Sequence, residues 1–295
     1  MAFKTCRLCG SNGGLRESHV IPSFVFRWLK ETSGTGYLRN SRQPNLRVQD
    51  GLKIRMLCAD CEARFNTWET EFANHVFYPL AYRKTHTTHY EYWMYRFCVS
   101  VSWRVLAFCL DEGHNAHIPD RLFPRIREVD TLWQNFLLRD TGGTKTTEQH
   151  FLPLDIIESL THSDAPTNIN RYMLRAVDMD IVSSADSVFV YSKLGPVMIL
   201  GLVEMPHADQ WVGTKLDPCS GIIRPREYVL PAGFDDFIFD KARKTAAAQD
   251  EVSQRQKDTI DRAYRKNIDY AAKSESFRAL DQDVRLFGKG AFSKK

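Results

Sequence analysis

The chain has 295 residues and a formal net charge of +4, with 43% hydrophobic residues, 26% charged residues and only 16 Gly and 12 Pro. That composition excludes disordered, collagen-like and single-finger classes, and the length suits one large domain or two smaller ones. The most apolar helical stretch, residues 93–110, contains Arg96 and Arg104, which argues against a membrane span, and with no apolar leader ahead of Cys6 the expected setting is cytoplasmic.

Taken in chain order, the first signal is a pair of cysteines, Cys6 and Cys9, answered much later by Cys58 and Cys61. The turn of each CxxC aims two thiolates at one point, and two such pairs complete the tetrahedron of a structural Zn2+. Gly10, directly after Cys9, suits the tight turn of a knuckle. The remaining cysteines, Cys98, Cys109 and Cys219, are expected to be buried free thiols. Between the pairs, residues 18–30 read as a strand end followed by a short helix, and residues 32–51 as a loop rich in turn formers. Behind the second pair, Phe65, Trp68, Phe72, His75 and Val76 recur at three- and four-residue spacing, the apolar face of a helix that Pro79 stops or bends.

Residues 90–110 read as a long helix whose two arginines are available to buried acids, and residues 123–138 and 154–160 as further helices. The pattern then changes to alternation. Residues 172–181, 188–193 and 197–204 read as three strands of a β-meander, with Leu194, Gly195 and Pro196 as the turn between the last two. Residues 235–270 read as mostly a charged helix, and the tail from residue 288 is expected to fray. The expected fold class is α+β, with a zinc-binding module over residues 1–80 and a larger helical region carrying a small antiparallel β-meander over residues 81–295.

Charge is uneven along the chain: between Met1 and Arg64, 11 basic residues stand against 5 acidic ones, an excess of +6. A basic N-terminal region of this kind is expected to attract polyphosphate, nucleic acid above all, with no need of base contacts. Trp28, Tyr37 and Trp68 interleave with arginines, either as core residues or as stacking platforms. The pairs His86/His89 and His114/His117 lie in polar turns and read as exposed loop histidines rather than as a second metal site.

His19 is spare to a zinc already holding four thiolates. With a CxxC, the run His19, Val20, Ile21 and Pro22, and a closing CxxC ahead of a helix, roughly the first 80 residues resemble the HNH (ββα-metal) endonuclease superfamily. The resemblance implies a treble-clef/HNH-like zinc module that hydrolyses phosphodiester bonds, with His19 as general base and Mg2+ or Mn2+ as the catalytic cation beside structural Zn2+. Glu62, directly after Cys61, matches the helix position that often carries a metal-binding His or Asn, and Asn66 lies one turn further on the same face. Where the family places an acidic ligand immediately before the base this chain has Ser18, with Glu17 one residue earlier. Alternate strand residues share a face, so Glu17 and His19 are expected to converge on one site. The family's middle Asn has no clear match. Read without the resemblance, His19 is a structural histidine locking its turn, Glu62 is an acid favoured by a helix N-terminus, and the whole is a non-catalytic zinc protein that binds nucleic acid or a protein partner.

Overall fold

A computed structural model describes residues 5–139 and 147–292. In chain order its elements are β1 (Leu15–His19), α1 (Ser23–Glu31), β2 (Leu38–Asn40), β3 (Gln43–Val48), β4 (Lys53–Cys58), α2 (Ala59–Phe72), a π turn (Ala73–Phe77), α3 (Tyr78–Ala81), β5 (Thr88–Glu91), α4 (Tyr92–Asp111) and α5 (Phe123–Arg139). There follow β6 (Gln149–Pro153), α6 (Ile169–Arg175), β7 (Val177–Ser183), β8 (Val188–Leu194), β9 (Val197–Glu204), β10 (Ser220–Ile223), α7 (Phe234–Asp250), α8 (Gln254–Lys266), α9 (Ile268–Ala272) and α10 (Glu275–Phe287). The α+β class is as expected. Among the described residues, no helix is long and apolar enough to cross a membrane.

Two compact units interleave along the sequence: Met1–Pro22, Leu52–Pro153 and Val177–Leu230 make the first, and Ser23–Gly51, Leu154–Ala176 and Pro231–Lys295 the second. The boundary expected near residue 80 falls inside the first unit. The reason is the apolar face of α2, which packs on α4 rather than closing over a small module of its own: Phe72 stacks on Phe97 with ring centroids 3.9 Å apart, and Phe65 meets Trp103 edge-on at 6.0 Å. Pro79 neither stops nor sharply ends this run. The wider π turn precedes it, and Pro79 enters the first turn of α3 within one continuous helical run, the His75 carbonyl one turn back accepting the Thr88 hydroxyl at 2.6 Å.

In the first unit α4 is apolar around its whole circumference and is buried accordingly, between α2, α5 and a four-stranded antiparallel sheet of order β6-β9-β8-β7. One of its two arginines does meet an acid: Arg104, 2% exposed, pairs with Glu69 of α2 at 2.7 Å. Arg96 lies over the rings of Trp68 and Tyr92, at 5.3 and 4.6 Å. The meander is present as β7-β8-β9, with Gly195 at φ +60° in the β8–β9 turn. Two boundaries differ from expectation. Residues 169–175 are helical before β7 begins, and residues 154–160, expected to be a helix, carry no regular element once Pro153 has ended β6. The fourth strand, β6, hides in the sequence because Gln149 and His150 are polar yet fully buried, Gln149 accepting the Ser102 hydroxyl and His150 bonded to Thr214 and Glu148.

In the second unit, Arg175 stacks on buried Trp28 at 4.5 Å and binds Thr32 and the carbonyl of Leu29, so Trp28 is a core residue. The fully buried carboxylate of Asp283 in α10 accepts the amides of Asn170 and Arg171 and the Arg171 guanidinium, tying α10 to α6. Residues 32–51 are not a plain loop: they contain the β2–β3 hairpin, whose turn is closed by the Asn40 carboxamide accepting the Arg42 amide at 2.8 Å. The stretch 235–270 is mostly helical, as expected, but in pieces. It breaks at residues 251–253 and again at Asn267. Of the tail expected to fray, residues 288–292 form a 3-10 turn against α10, and residues 293–295 lie outside the described residues.

Candidate metal centre

The knuckle is built by the backbone before any metal is considered. The amide of Gly10 donates to the carbonyl of Cys6 at 2.8 Å, and Gly10 holds φ +74°, a left-handed conformation a side chain would strain. Strands β1 and β4 then form an antiparallel pair, with Leu15 opposite Cys58 and His19 opposite Lys53, and α2 starts immediately after Cys58. Cys58 ends a strand and Cys61 sits one turn into a helix, so the second pair is carried by the strand-to-helix corner.

These elements bring Cys6, Cys9, Cys58 and Cys61 together with all four sulfurs within 4.8 Å of one another, Cys9 and Cys58 being 3.7 Å apart. A tetrahedral zinc with Zn–S bonds of about 2.3 Å requires sulfurs about 3.8 Å apart, so the donor set fits zinc in number, chemistry and spacing. None of the four is in a disulfide, and the Cys58 amide donates to the Cys6 sulfur at 3.3 Å. The Ser11 hydroxyl lowers the Cys9 thiol to about 6, whereas burial, followed by the neighbouring sulfurs, pushes Cys61 up. Four crowded sulfurs cannot all ionise unless a cation lies among them, which is the condition a metal supplies.

The knuckle is fastened from outside by residues that no cysteine spacing reveals. Arg7 reaches Asp130 of α5 at 2.6 Å and Asp111 at the end of α4 at 3.1 Å, and Gln134 of α5 donates to the carbonyls of Arg7 and Leu8. Trp103 donates its indole N–H to the other oxygen of Asp130 at 3.0 Å.

The three residues expected around a catalytic cation are distributed differently. Ser18, wholly buried, points from β1 towards α2 and donates to Glu62 at 2.5 Å. Glu17 and His19 flank it and so lie on the other face of the strand, Glu17 opposite Arg55. Glu17 and His19 thus share a strand face, while it is Ser18 that meets Glu62, and among the described residues the cysteines are the one set of three or more His, Cys, Asp or Glu placed to hold a metal. His19 is half-buried with its Nε2 shielded from solvent, and its carbonyl accepts the guanidinium of Arg104 at 2.9 Å. The other histidine pairs are exposed as expected, His117 bonding the carbonyl of Ile181. Cys98 and Cys109 are buried as expected; Cys219 is exposed, on the approach to the short β10 edge strand.

Comparison with family models, with curated proteins and with solved structures finds no match to this chain. The class that fold and site define is thus a four-cysteine, zinc-type ββα corner embedded in a larger α+β unit.

Proposed function

We propose that this corner is the working end of an HNH-like phosphodiester hydrolase, with His19 as general base and Glu62 as its helix carboxylate. The supporting observation is the chain order of the placed residues: a cysteine knuckle, a strand ending in His19, an antiparallel partner strand, and a helix whose first turn sets Glu62 against the first strand through Ser18. In this reading His19 removes a proton from the attacking water, the water oxygen bonds to phosphorus, and the departing oxygen takes its proton from solvent. A divalent cation needs few protein ligands where phosphate and water complete its shell, and when bound at Glu62 it would neutralise charge on the phosphate. Glu17 shares its strand face with His19 and stays beside the base in this reading, whereas Glu62 meets the strand through Ser18 on the other face.

A second reading is favoured by a specific observation. The Ser18–Glu62 hydrogen bond and the shielded His19 Nε2 are what a non-catalytic zinc scaffold needs, one that binds nucleic acid or a protein without cutting. Incubating the full chain with supercoiled plasmid and Mg2+ or Mn2+, beside His19→Ala and Glu62→Gln, separates the two. The nuclease reading expects nicking that falls about 10²–10⁴-fold in His19→Ala with zinc content unchanged. No nicking by the unaltered chain, or nicking by both variants as fast as by the unaltered chain, leaves the scaffold reading.

A further inference from the structure

The β2–β3 hairpin of the second unit carries an arrangement that folding alone does not explain. Its two strands form a sheet by themselves, and Arg39 and Arg47 are direct cross-strand partners, a like-charge pairing that lowers the stability of a ribbon. Both guanidiniums lie against one ring, Tyr37, at 5.4 Å for Arg39 and 4.2 Å for Arg47. Neutral acceptors hold Arg39, the Pro44 carbonyl at 2.7 Å and Gln256 at 2.8 Å. Among the described residues Arg42 at the turn and Arg47 have no carboxylate partner, and both are exposed. The ribbon is also braced. Asn45 donates to the Glu251 carbonyl and accepts the Ser253 amide, pinning the hairpin to the α7–α8 corner. The second unit as a whole carries 21 Lys and Arg against 16 Asp and Glu, a net charge of +5 that exceeds the +4 of the entire chain.

We infer that this ribbon is a docking element for duplex DNA, with Arg42 and Arg47 on backbone phosphates. A two-stranded ribbon fits a B-form major groove about 12 Å wide, whereas the major groove of duplex RNA is too narrow for it. Because the two guanidiniums already lie over the Tyr37 ring, that ring is not a base-stacking platform, which disfavours single strands. A phosphate on Arg47 offsets its like-charge repulsion with Arg39 across the ribbon. The inference takes its ligand class from the proposed nuclease reading but not its chemistry.

Fluorescence anisotropy of a labelled 20-base-pair DNA duplex against the full chain tests it, with single-stranded DNA and duplex RNA of the same length as competitors. Each phosphate contact contributes a salt slope near −0.9, so R42A/R47A is expected to weaken binding about 25-fold at 150 mM salt and to flatten the slope by about two. R42K/R47K should restore much of the affinity, and the melting temperature of both variants should match that of the unaltered chain. Binding unchanged in R42A/R47A, equal competition by single strands or duplex RNA, or no binding at 50 mM salt would overturn the inference. The two failures stay distinct: a chain that binds DNA through these arginines but never nicks it loses the nuclease reading alone, and one that nicks DNA without needing them loses the docking ribbon alone.

Discussion

At the scale of single residues the four cysteines carry the firmest expectation. Zinc in such sites contributes apparent binding energy on the order of 10 kcal/mol, so Cys58→Ser should lose the metal and much soluble protein, while Cys98→Ser keeps one zinc per chain by atomic absorption. Retention of zinc by Cys58→Ser would remove it from the ligand set. Spacing made this cluster legible in the sequence because two CxxC turns admit few other uses. Ser18 was not legible as the partner of Glu62: that depends on which strand face meets α2, and a three-residue polar run, Glu17, Ser18 and His19, does not say. A second residue-scale expectation concerns His150, fully buried between Thr214 and Glu148, whose burial lowers its pKa from 6.5 to about 4. Between those values the unfolded chain binds a proton that the folded chain refuses. Stability is thus complete above pH 6.5 and falls as pH drops towards 4, by about 3 kcal/mol. Acid also strips zinc, so the measurable quantity is the difference in urea midpoint between the unaltered chain and His150→Gln at pH 7, 5.5 and 4.5. That difference should shift steadily in favour of the variant; a constant gap would show that His150 does not carry the effect.

At the scale of elements, the long apolar helix α4 and the β7-β8-β9 meander were legible because each follows its own period for many residues. The hairpin β2–β3 and the strand β6 were not. The first is exposed and arginine-rich, and the second buries polar side chains, so neither shows the apolar alternation by which strands are read. Gly201 tests how closely these elements approach. It lies in β9, and a Cβ built there would come within 2.7 Å of the Ser102 hydroxyl of α4 and 2.8 Å of the Trp133 ring of α5. Neither neighbour can swing away, since Ser102 is bonded to Gln149 and Trp133 to Thr147. Gly201→Ala is therefore expected to cost about 1–3 kcal/mol in a denaturation experiment, as overpacked cores do. The reverse outcome, a gain from the stiffer unfolded chain, would mean that the sheet relaxes away from the helices.

For the whole molecule, the question is whether the zinc corner stands alone, as a sequence boundary near residue 80 implies, or is one wall of a larger body. The contacts within the first unit answer for the larger body. Arg7 and Gln134 fasten the knuckle to α5, Arg104 ties the His19 carbonyl to α4, and the aromatic face of α2 is covered by α4. A fragment of residues 1–80 keeps all four cysteines but loses every one of these partners. Phe65, Trp68 and Phe72 are each at most 6% exposed in the intact chain. An aromatic side chain buries about 200 Å², so uncovering half of three such faces forfeits about 7 kcal/mol at about 25 cal/mol per Å². That is comparable with the zinc term itself, and the fragment must still order the 29 residues of its insertion, Ser23–Gly51, which belong to the other unit. The fragment is accordingly expected to bind zinc without folding: metal stoichiometry near one, but a gradual thermal transition and strong binding of a hydrophobic dye, where the full chain shows a sharp transition and little dye binding. A sharp, zinc-dependent melt of residues 1–80 would show instead that the corner is self-sufficient and that α4 and α5 only lean on it.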